Sequence, residues 1–523
     1  MTEQQATADN AGSRQRRAKR RGSHEGRPQE GGSAAPAAIA GIRRQVPTYD
    51  ILNEESLVAI EEAADKILAE IGLEFRDDPE ALRLWREAGA DVTGELVKFP
   101  RGLIRGILKT APRSFTQHAR NPARSVVIGD DSIVFAPAYG SPFVRDLQDG
   151  RRYGSIADFE KFVKLTYMIP WLHHSGGTIC EPVDVPVNKR HLDMVSAHLR
   201  YSDKALMGSV TAQERAEDSI EMMRIVFGKE FVDRNCVILG NINVNSPLVY
   251  DATMTNALRA YAGANQACVI VPFILGGAMG PVTMAGAIAQ SLAETMAGCA
   301  LTQLVRPGCP VIFGNFLSST ALRSGSPTFG TPEPAAGSLV IGQLARRLGL
   351  PLRCSGAFTA SKIADGQAMT ESAMSMLAAV QCGANFILHS AGWLEGGLTM
   401  GYEKFIQDAD FCASLHRYLA GIQIDENQLA FSAFQEVGPG KHFFGCAHTV
   451  ENYRTAFWES EVADNGPFEQ WQEGGELDAV DRSARRIKKL LAEYQAPALD
   501  PGIDEALKDF VARKKETIAD QWY

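Results

Sequence analysis

The sequence predicts an α/β protein: a (β/α)8 TIM-type barrel with a helical N-terminal module and a C-terminal extension. Two observations carry this. Between Trp171 and about Ala420, continuous apolar runs of strand character recur at 171–179, 205–210, 237–244, 268–275, 310–316, 352–357 and 386–389. Most lead into a stretch of helical spacing, such as 214–227, 251–264, 282–305, 334–348 and 366–381. Strands apolar on both faces, alternating with helices, belong to a parallel sheet covered on both sides. The second observation is an absence. An open doubly wound sheet usually carries a glycine-rich phosphate loop after its first strand, and neither G-x-G-x-x-G nor G-x-x-x-x-G-K-[ST] occurs here. The nearest match, Gly276-Gly277-Ala278-Met279-Gly280, has the wrong spacing. Seven strand–helix units are visible. The eighth strand is not placed, because the chain after His389 reads largely helical.

Ahead of the barrel, Leu57, Ile60, Ala63, Ala64, Ile67, Leu68 and Ile71 mark an amphipathic helix that Asn53 or Ser56 can cap and Gly72 can end. Further helices are predicted at 79–88 and 101–111. The resulting division is a basic tail at 1–44, a helical module at 45–130, a barrel catalytic domain at 131–435 and a helical extension at 436–523.

The net charge of −9 is unevenly spread over the 523 residues. Residues 1–44 hold nine Lys/Arg against four Asp/Glu, and the remainder holds 44 against 58. With few large apolar residues, the tail reads as a solvated, disordered extension that does not fold alone. It has no apolar segment of the kind a signal peptide needs, and no run in the chain is long enough to span a membrane. The nine cysteines include no C-x-x-C pair, so they read as reduced, buried thiols of a cytoplasmic protein.

If the fold is a barrel, its site lies at the C-terminal ends of the strands. Those ends are polar here. His173 and His174 end the first run, Asn241, Asn243 and Asn245 alternate along the third, and Asn315 with Phe316 ends the fifth. Cys354-Ser355-Gly356 and His389-Ser390, followed by Trp393, end the last two. Alternation turns the three asparagines to one face, where unpaired amides would cost about 1–3 kcal/mol each. They therefore meet a ligand, waters or one another. His442, Cys446 and His448 are metal-like residue types in loose spacing, and form only a weak candidate for a metal site.

A set of motifs runs across residues 45–490. It includes Ile71-Gly72-Leu73, Glu87-Ala88-Gly89-Ala90, Ala136-Pro137, Arg145-Asp146 and Asp158-Phe159. Further along are Asn245-Ser246-Pro247-Leu248, the segment 276–283, and Ser361-Lys362 with Asp365, Gln367 and Glu371. Glu436-Val437-Gly438-Pro439-Gly440 and His448-Thr449 follow. In these the chain resembles the trimethylamine methyltransferase family, which includes glycine betaine–corrinoid methyltransferases.

The resemblance implies a barrel enzyme that moves a methyl group from a methylated amine to a Co(I) corrinoid (cobalamin) carried by a separate protein. It implies no cofactor held tightly by this chain, which lacks a D-x-H-x-x-G corrinoid signature. The trimethylamine-using members carry pyrrolysine, and this sequence has none, which favours the branch that uses glycine betaine. A quaternary ammonium also leaves as a neutral amine, so it is the better methyl donor. Its cation needs aromatic walls, and Tyr139, Phe316, Trp393 and Tyr402 are the candidates. A betaine carboxylate needs donors, for which residue type and strand-end position select His389, Asn243 and Asn315. No catalytic residue is assigned. The expected partners are a small quaternary amine and a corrinoid protein, with no nucleic acid and no membrane, and pairing of copies is open. Two other readings stand beside this one: a metal-assisted barrel hydrolase or lyase, and a non-catalytic relative that binds a small amine.

Overall fold

The computed structural model describes residues 35–522, so most of the tail predicted for 1–44 lies outside the described residues. The tail's described end differs from expectation. Ile42–Arg43 pairs antiparallel with Ser132–Ile133, and Ile42 is buried, so the folded chain starts before residue 45.

The centre is a parallel barrel of β1 (Ser132–Phe135), β2 (Leu206–Met207), β3 (Ile238–Val244), β4 (Ala267–Gly276), β5 (Val311–Gly314), β6 (Leu352–Ser355) and β7 (Phe386–Leu388). Neighbours follow chain order from β2 to β7, and β7 then pairs in parallel with β1. The strand missing from the sequence reading is thus β1, which precedes the predicted series rather than closing it.

Between β1 and β2 runs segment 173–177, inside the first predicted strand. It forms no regular ladder, yet it joins both neighbours. The His173 amide donates to the Phe135 carbonyl (3.0 Å), the Ser175 amide to Ala205 (2.8 Å), and the Met207 amide to Gly176 (2.8 Å). Gly176, at φ 86°, breaks the extended course. With this segment as the eighth stave the ring closes.

Register fixes the interior. Asn241 aligns with Val269 and Asn243 with Val271, while Arg353 aligns with Gly314 and Phe386. Val134, Leu239, Val269, Ile312, Phe386 and Leu388 fill the lumen. A hairpin of Ser114–Gln117 and Val126–Gly129 adds Phe115, Val126 and Ile128 at the base. The base is therefore packed shut, and only the C-terminal end is open to function.

The predicted crossover helices form at Gln213–Phe227, Ala252–Gly263, Met284–Val305, Pro332–Leu348 and Gly366–Gln381. Met284–Val305 is apolar nearly all round because it is covered twice: by β4 within and by helices Glu54–Lys66 and Leu103–Leu108 outside. The N-terminal module contains the expected helices, with Asn53 capping Glu54–Lys66 through the Ser56 amide (3.0 Å). It also contains a small sheet that the periodicity did not reveal, ordered Val249–Asp251, Leu73–Arg76, Leu96–Lys98, Asp91–Thr93. Phe75 stacks on Tyr250 at 5.2 Å, tying the module to the loop after β3. In the C-terminal extension, Ala479–Glu493 packs on helix Tyr402–Leu419, and Pro501–Thr517 packs on Arg190–Tyr201 and Gln213–Phe227. Among the described residues no helix is long and apolar enough to cross a membrane.

Candidate active site

The barrel mouth gathers rings. Phe316, just past β5, has ring centroids of Phe273 at 4.7 Å, Phe358 at 4.8 Å, His389 at 5.7 Å and Trp393 at 6.0 Å. Phe358 and Trp393 lie 4.4 Å apart, and Phe329 approaches Trp393 at 5.7 Å. Phe273 and Phe316 are only half-buried, and Asn243, one residue before the C-terminal end of β3, is exposed. A polar side chain exposed there marks an open cavity.

His389 sits at φ 66°, which turns its ring from the strand direction toward Trp393, edge-on at 4.5 Å. Its Nδ1 accepts a hydrogen bond from the Tyr139 amide (3.1 Å). An imidazole nitrogen that accepts carries no proton, so the neutral ring holds its proton on Nε2. Burial, aided by the positive charge of Arg353, pushes its pKa well below the usual value. His389 is therefore a neutral donor, and among the described residues its Nε2 has no hydrogen-bond partner.

Arg353 and Phe358 are residues that the sequence reading missed, and Arg353 is the charged one. It points inward from β6, is 1% exposed, and stands 5.3 Å from the Phe316 ring centroid. Its Nη1 donates to the Asn315 carbonyl (2.5 Å), while its Nε is buried without a partner. Among the described residues no carboxylate is paired with it. Burial lowers even this guanidinium to about 10. A buried cation lacking a counter-ion is costly, and such a site selects an anion. Three more buried polar atoms lack partners: Ser355 Oγ at the end of β6, Trp393 Nε1 in the loop after β7 and Asn241 Oδ1 in the middle of β3.

The other sequence candidates divide. Asn241 and Asn243 face inward as predicted, with Asn241 Nδ2 donating to Asn243 Oδ1 (3.1 Å). Tyr139 lies at the mouth against Gly177, where a Cβ would come within 2.7 Å of the ring, and burial raises its hydroxyl to about 12. Asn315 faces outward. Its Nδ2 meets Ser338 Oγ (3.1 Å) and Cys354 Sγ (3.3 Å), and its Oδ1 accepts from the Leu317 amide (3.0 Å). Tyr402 stacks on Phe162 at 4.1 Å and donates to Asp158 (2.8 Å), outside the ring cluster.

The metal candidates are spoken for or scattered. Cys446 Sγ faces Thr449 Oγ1 (3.2 Å), His448 Nε2 meets the Asn427 carbonyl (2.8 Å), and His442 pairs loosely with Phe444. His173 Nδ1 accepts from the Phe135 amide and its Nε2 meets His416 (2.9 Å), while His174 meets Gln117 (3.1 Å). Among the described residues no three His, Cys, Asp or Glu side chains group closely enough to hold a metal.

One buried network holds the loops that carry the rings. Lys404 pairs with Asp408 and donates to Ser372 Oγ (2.8 Å), whose hydroxyl donates to the Ala357 carbonyl (3.0 Å). Asp408 Oδ2 accepts from the Gly392 amide (2.9 Å). Ala357 and Gly392 immediately precede Phe358 and Trp393, so this pair fixes two walls at once.

Fold and site together define a barrel enzyme with an aromatic pocket and an unpaired buried cation at the strand ends. The model of the trimethylamine methyltransferase family matches residues 13–519, and the chain belongs to that family. It is 41% identical to the glycine betaine methyltransferase of Desulfitobacterium hafniense, over 91% of this chain and 99% of that one. It is 28% identical to the proline betaine:corrinoid methyltransferase of Eubacterium limosum, over 87% and 94%. A trimethylamine methyltransferase of Methanosarcina mazei is 25% identical over 91% and 95%. The chain is a methyltransferase.

Proposed function

We propose that this methyltransferase takes a methyl group from a carboxylated quaternary amine, glycine betaine or a near analogue, and delivers it to the Co(I) corrinoid of a separate protein. The observation that carries the reading is Arg353, a buried cation without a counter-ion beside an aromatic pocket. The relatives' activities on glycine betaine and proline betaine support it. The corrinoid, when presented by its carrier, supplies the nucleophile.

The chain's own residues bind and orient. Arg353 and the Nε2 proton of His389 take the carboxylate, and Ser355 Oγ and Trp393 Nε1 add donors nearby. Phe316, Phe358 and Trp393 take the trimethylammonium, each face contributing about 0.5–2 kcal/mol. With one end anchored, a methyl is aimed out of the mouth, and positioning is most of the task. The leaving group is a neutral amine, so no acid is needed, in keeping with a site whose histidine stays neutral. Asn315 and Tyr402, engaged elsewhere, drop out of the pocket, and Arg353 and Phe358 replace them.

The test incubates the protein with Co(I) cobalamin and each of glycine betaine, proline betaine, choline and trimethylamine, following the cobalt spectrum. Methyl-cobalt and dimethylglycine from glycine betaine are expected. Their absence with every betaine would overturn the reading.

A further inference from the structure

The motif Ser361-Lys362 with Asp365, Gln367 and Glu371 supplies no ring to the pocket, yet three of the rings are tied to it. Glu371 Oε2 accepts twice from the loop after β6, from Thr359 Oγ1 (2.5 Å) and from the Ala360 amide (2.9 Å). Thr359 directly follows Phe358 and is fully buried, and its hydroxyl also accepts from the Ser361 amide (2.9 Å). The carbonyls of this loop hold the next one. The Gly396 amide donates to Thr359 (3.0 Å) and the Glu395 amide to Ser361 (2.7 Å), in the loop that begins with Trp393. Phe329 reaches the same point through its neighbour Gly330, at φ 66°. A Cβ on Gly330 would lie 2.4 Å from the Glu371 carbonyl oxygen, so only glycine lets the two backbones approach this closely.

The rest of the motif holds Glu371 in turn. Gln367 Nε2, one helical turn earlier, donates to Glu371 Oε1 (3.0 Å). Asp365 Oδ1 caps helix Gly366–Gln381 through the Ala368 amide (2.9 Å) and accepts from Ser361 Oγ (2.9 Å). A carboxylate suits the centre of such a brace, since its two oxygens accept several donors and donate to none.

We infer that Glu371 is the positioning residue of the aromatic pocket, fixing Phe329, Phe358 and Trp393 against one another and so setting the size of ammonium head that fits. Phe358 and Trp393 lie 4.4 Å apart, and Phe329 stands 5.4 and 5.7 Å from them, so the three rings form one wall. Trp393 has no room to retreat. A Cβ on Gly397 would come within 2.4 Å of its six-membered ring, so main chain lies directly against the indole. The Lys404–Asp408 pair holds the residues before Phe358 and Trp393, and Glu371 holds those after them. A wall fixed on both sides keeps its contact with a trimethylammonium and does not yield to a larger head. The selection among heads rests on the proposed function; the brace does not.

The test compares the unaltered protein with Glu371→Ala and Glu371→Gln, by hydrogen exchange and by calorimetric titration with glycine betaine and its N,N,N-triethyl analogue. Glutamine keeps an oxygen for Thr359 and Ala360, and Gln367 can turn its own amide to meet the new one. Exchange at the Glu395 and Gly396 amides should be about tenfold faster in Glu371→Ala, with β3 unchanged and Glu371→Gln like the unaltered protein. The affinity ratio of glycine betaine to the triethyl analogue should fall about tenfold in Glu371→Ala alone. Unchanged exchange in Glu371→Ala would overturn the brace and leave the proposed chemistry standing. Faster exchange with an unchanged ratio would overturn the assignment to the pocket, because a loss of stability alone moves both ligands together. An equal fall in Glu371→Gln would also overturn it, by tracing the effect to charge. An unaltered protein that binds neither ligand would overturn the proposed function, and the selection with it. If circular dichroism shows Glu371→Ala unfolded, Thr359→Val, which removes one donor to the same oxygen, is read by the same outcomes.

Discussion

The guanidinium of Arg353 lies over the ring of Phe316, 5.3 Å from its centroid, so a buried cation and the aromatic cluster meet at the barrel mouth. The cation calls for a carboxylate, and the ring cluster calls for an ammonium. A betaine carries both within a few bonds.

Replacing Arg353 by Met should raise KM for glycine betaine about 10- to 150-fold, since a hydrogen bond to a charged group contributes about 1.5–3 kcal/mol. Choline, which lacks the carboxylate, should be used no worse than before. Steady-state kinetics with both substrates check this; an equal loss for both would remove Arg353 from the carboxylate end. Asn315→Ala is the matching control and should leave KM within about twofold while lowering stability.

The pocket walls are tested by charge rather than by size. The compound 3,3-dimethylbutanoate has the shape of glycine betaine with carbon in place of nitrogen. Betaine should bind more tightly by about 0.5–2 kcal/mol per ring face, and Trp393→Leu should shrink the margin. Competitive binding measured by calorimetry reads the difference. An unchanged margin would mean that the indole only fills space.

The Lys404–Asp408 pair is predicted to be costly to break singly. Asp408→Ala leaves Lys404 as a buried, uncompensated charge and should cost about 3–5 kcal/mol, whereas Lys404→Met with Asp408→Leu should recover much of the loss. Urea denaturation measures stability. Because the pair anchors Ala357 and Gly392, the recovered double variant should still show a raised KM for betaine.

Acid sensitivity follows from the buried histidines. Burial holds His173, His174 and His389 well below 6.5, and lowers His198 and His416 to about 4. Below pH 6.5 the unfolded chain binds protons that the folded chain does not, so stability falls as pH falls. Each such group contributes about 1.4 kcal/mol per pH unit until its own folded pKa is reached. Unfolding free energies from urea denaturation at pH 7.5 and 5.5 should differ by several kcal/mol in favour of pH 7.5, with the midpoint higher at pH 7.5. Equal midpoints would mean that these rings are charged in the fold.

Much of the barrel was legible because seven of its staves are apolar runs followed by helical spacing. Strand β1 escaped because it is followed by a hairpin, Phe143–Asp146 with Gly150–Tyr153, instead of directly by a helix. In the site, residue type located His389 and the rings, but facing was misjudged. Ile312 and Phe316 face inward, so alternation sends Asn315 out. The same alternation along β6 sends Arg353 in, and a lone charge inside an apolar barrel strand was the signal available. Tyr402 could not be judged from sequence, since its partner Asp158 is 244 residues away.

The most direct test compares glycine betaine with choline as methyl donors to Co(I) cobalamin, reading the initial rate of methyl-cobalt formation with the unaltered protein. The two share a trimethylammonium and differ in the carboxylate that Arg353 and His389 are assigned to hold. A rate at least tenfold higher with glycine betaine is the predicted result. Equal rates, or a faster reaction with choline, would contradict it.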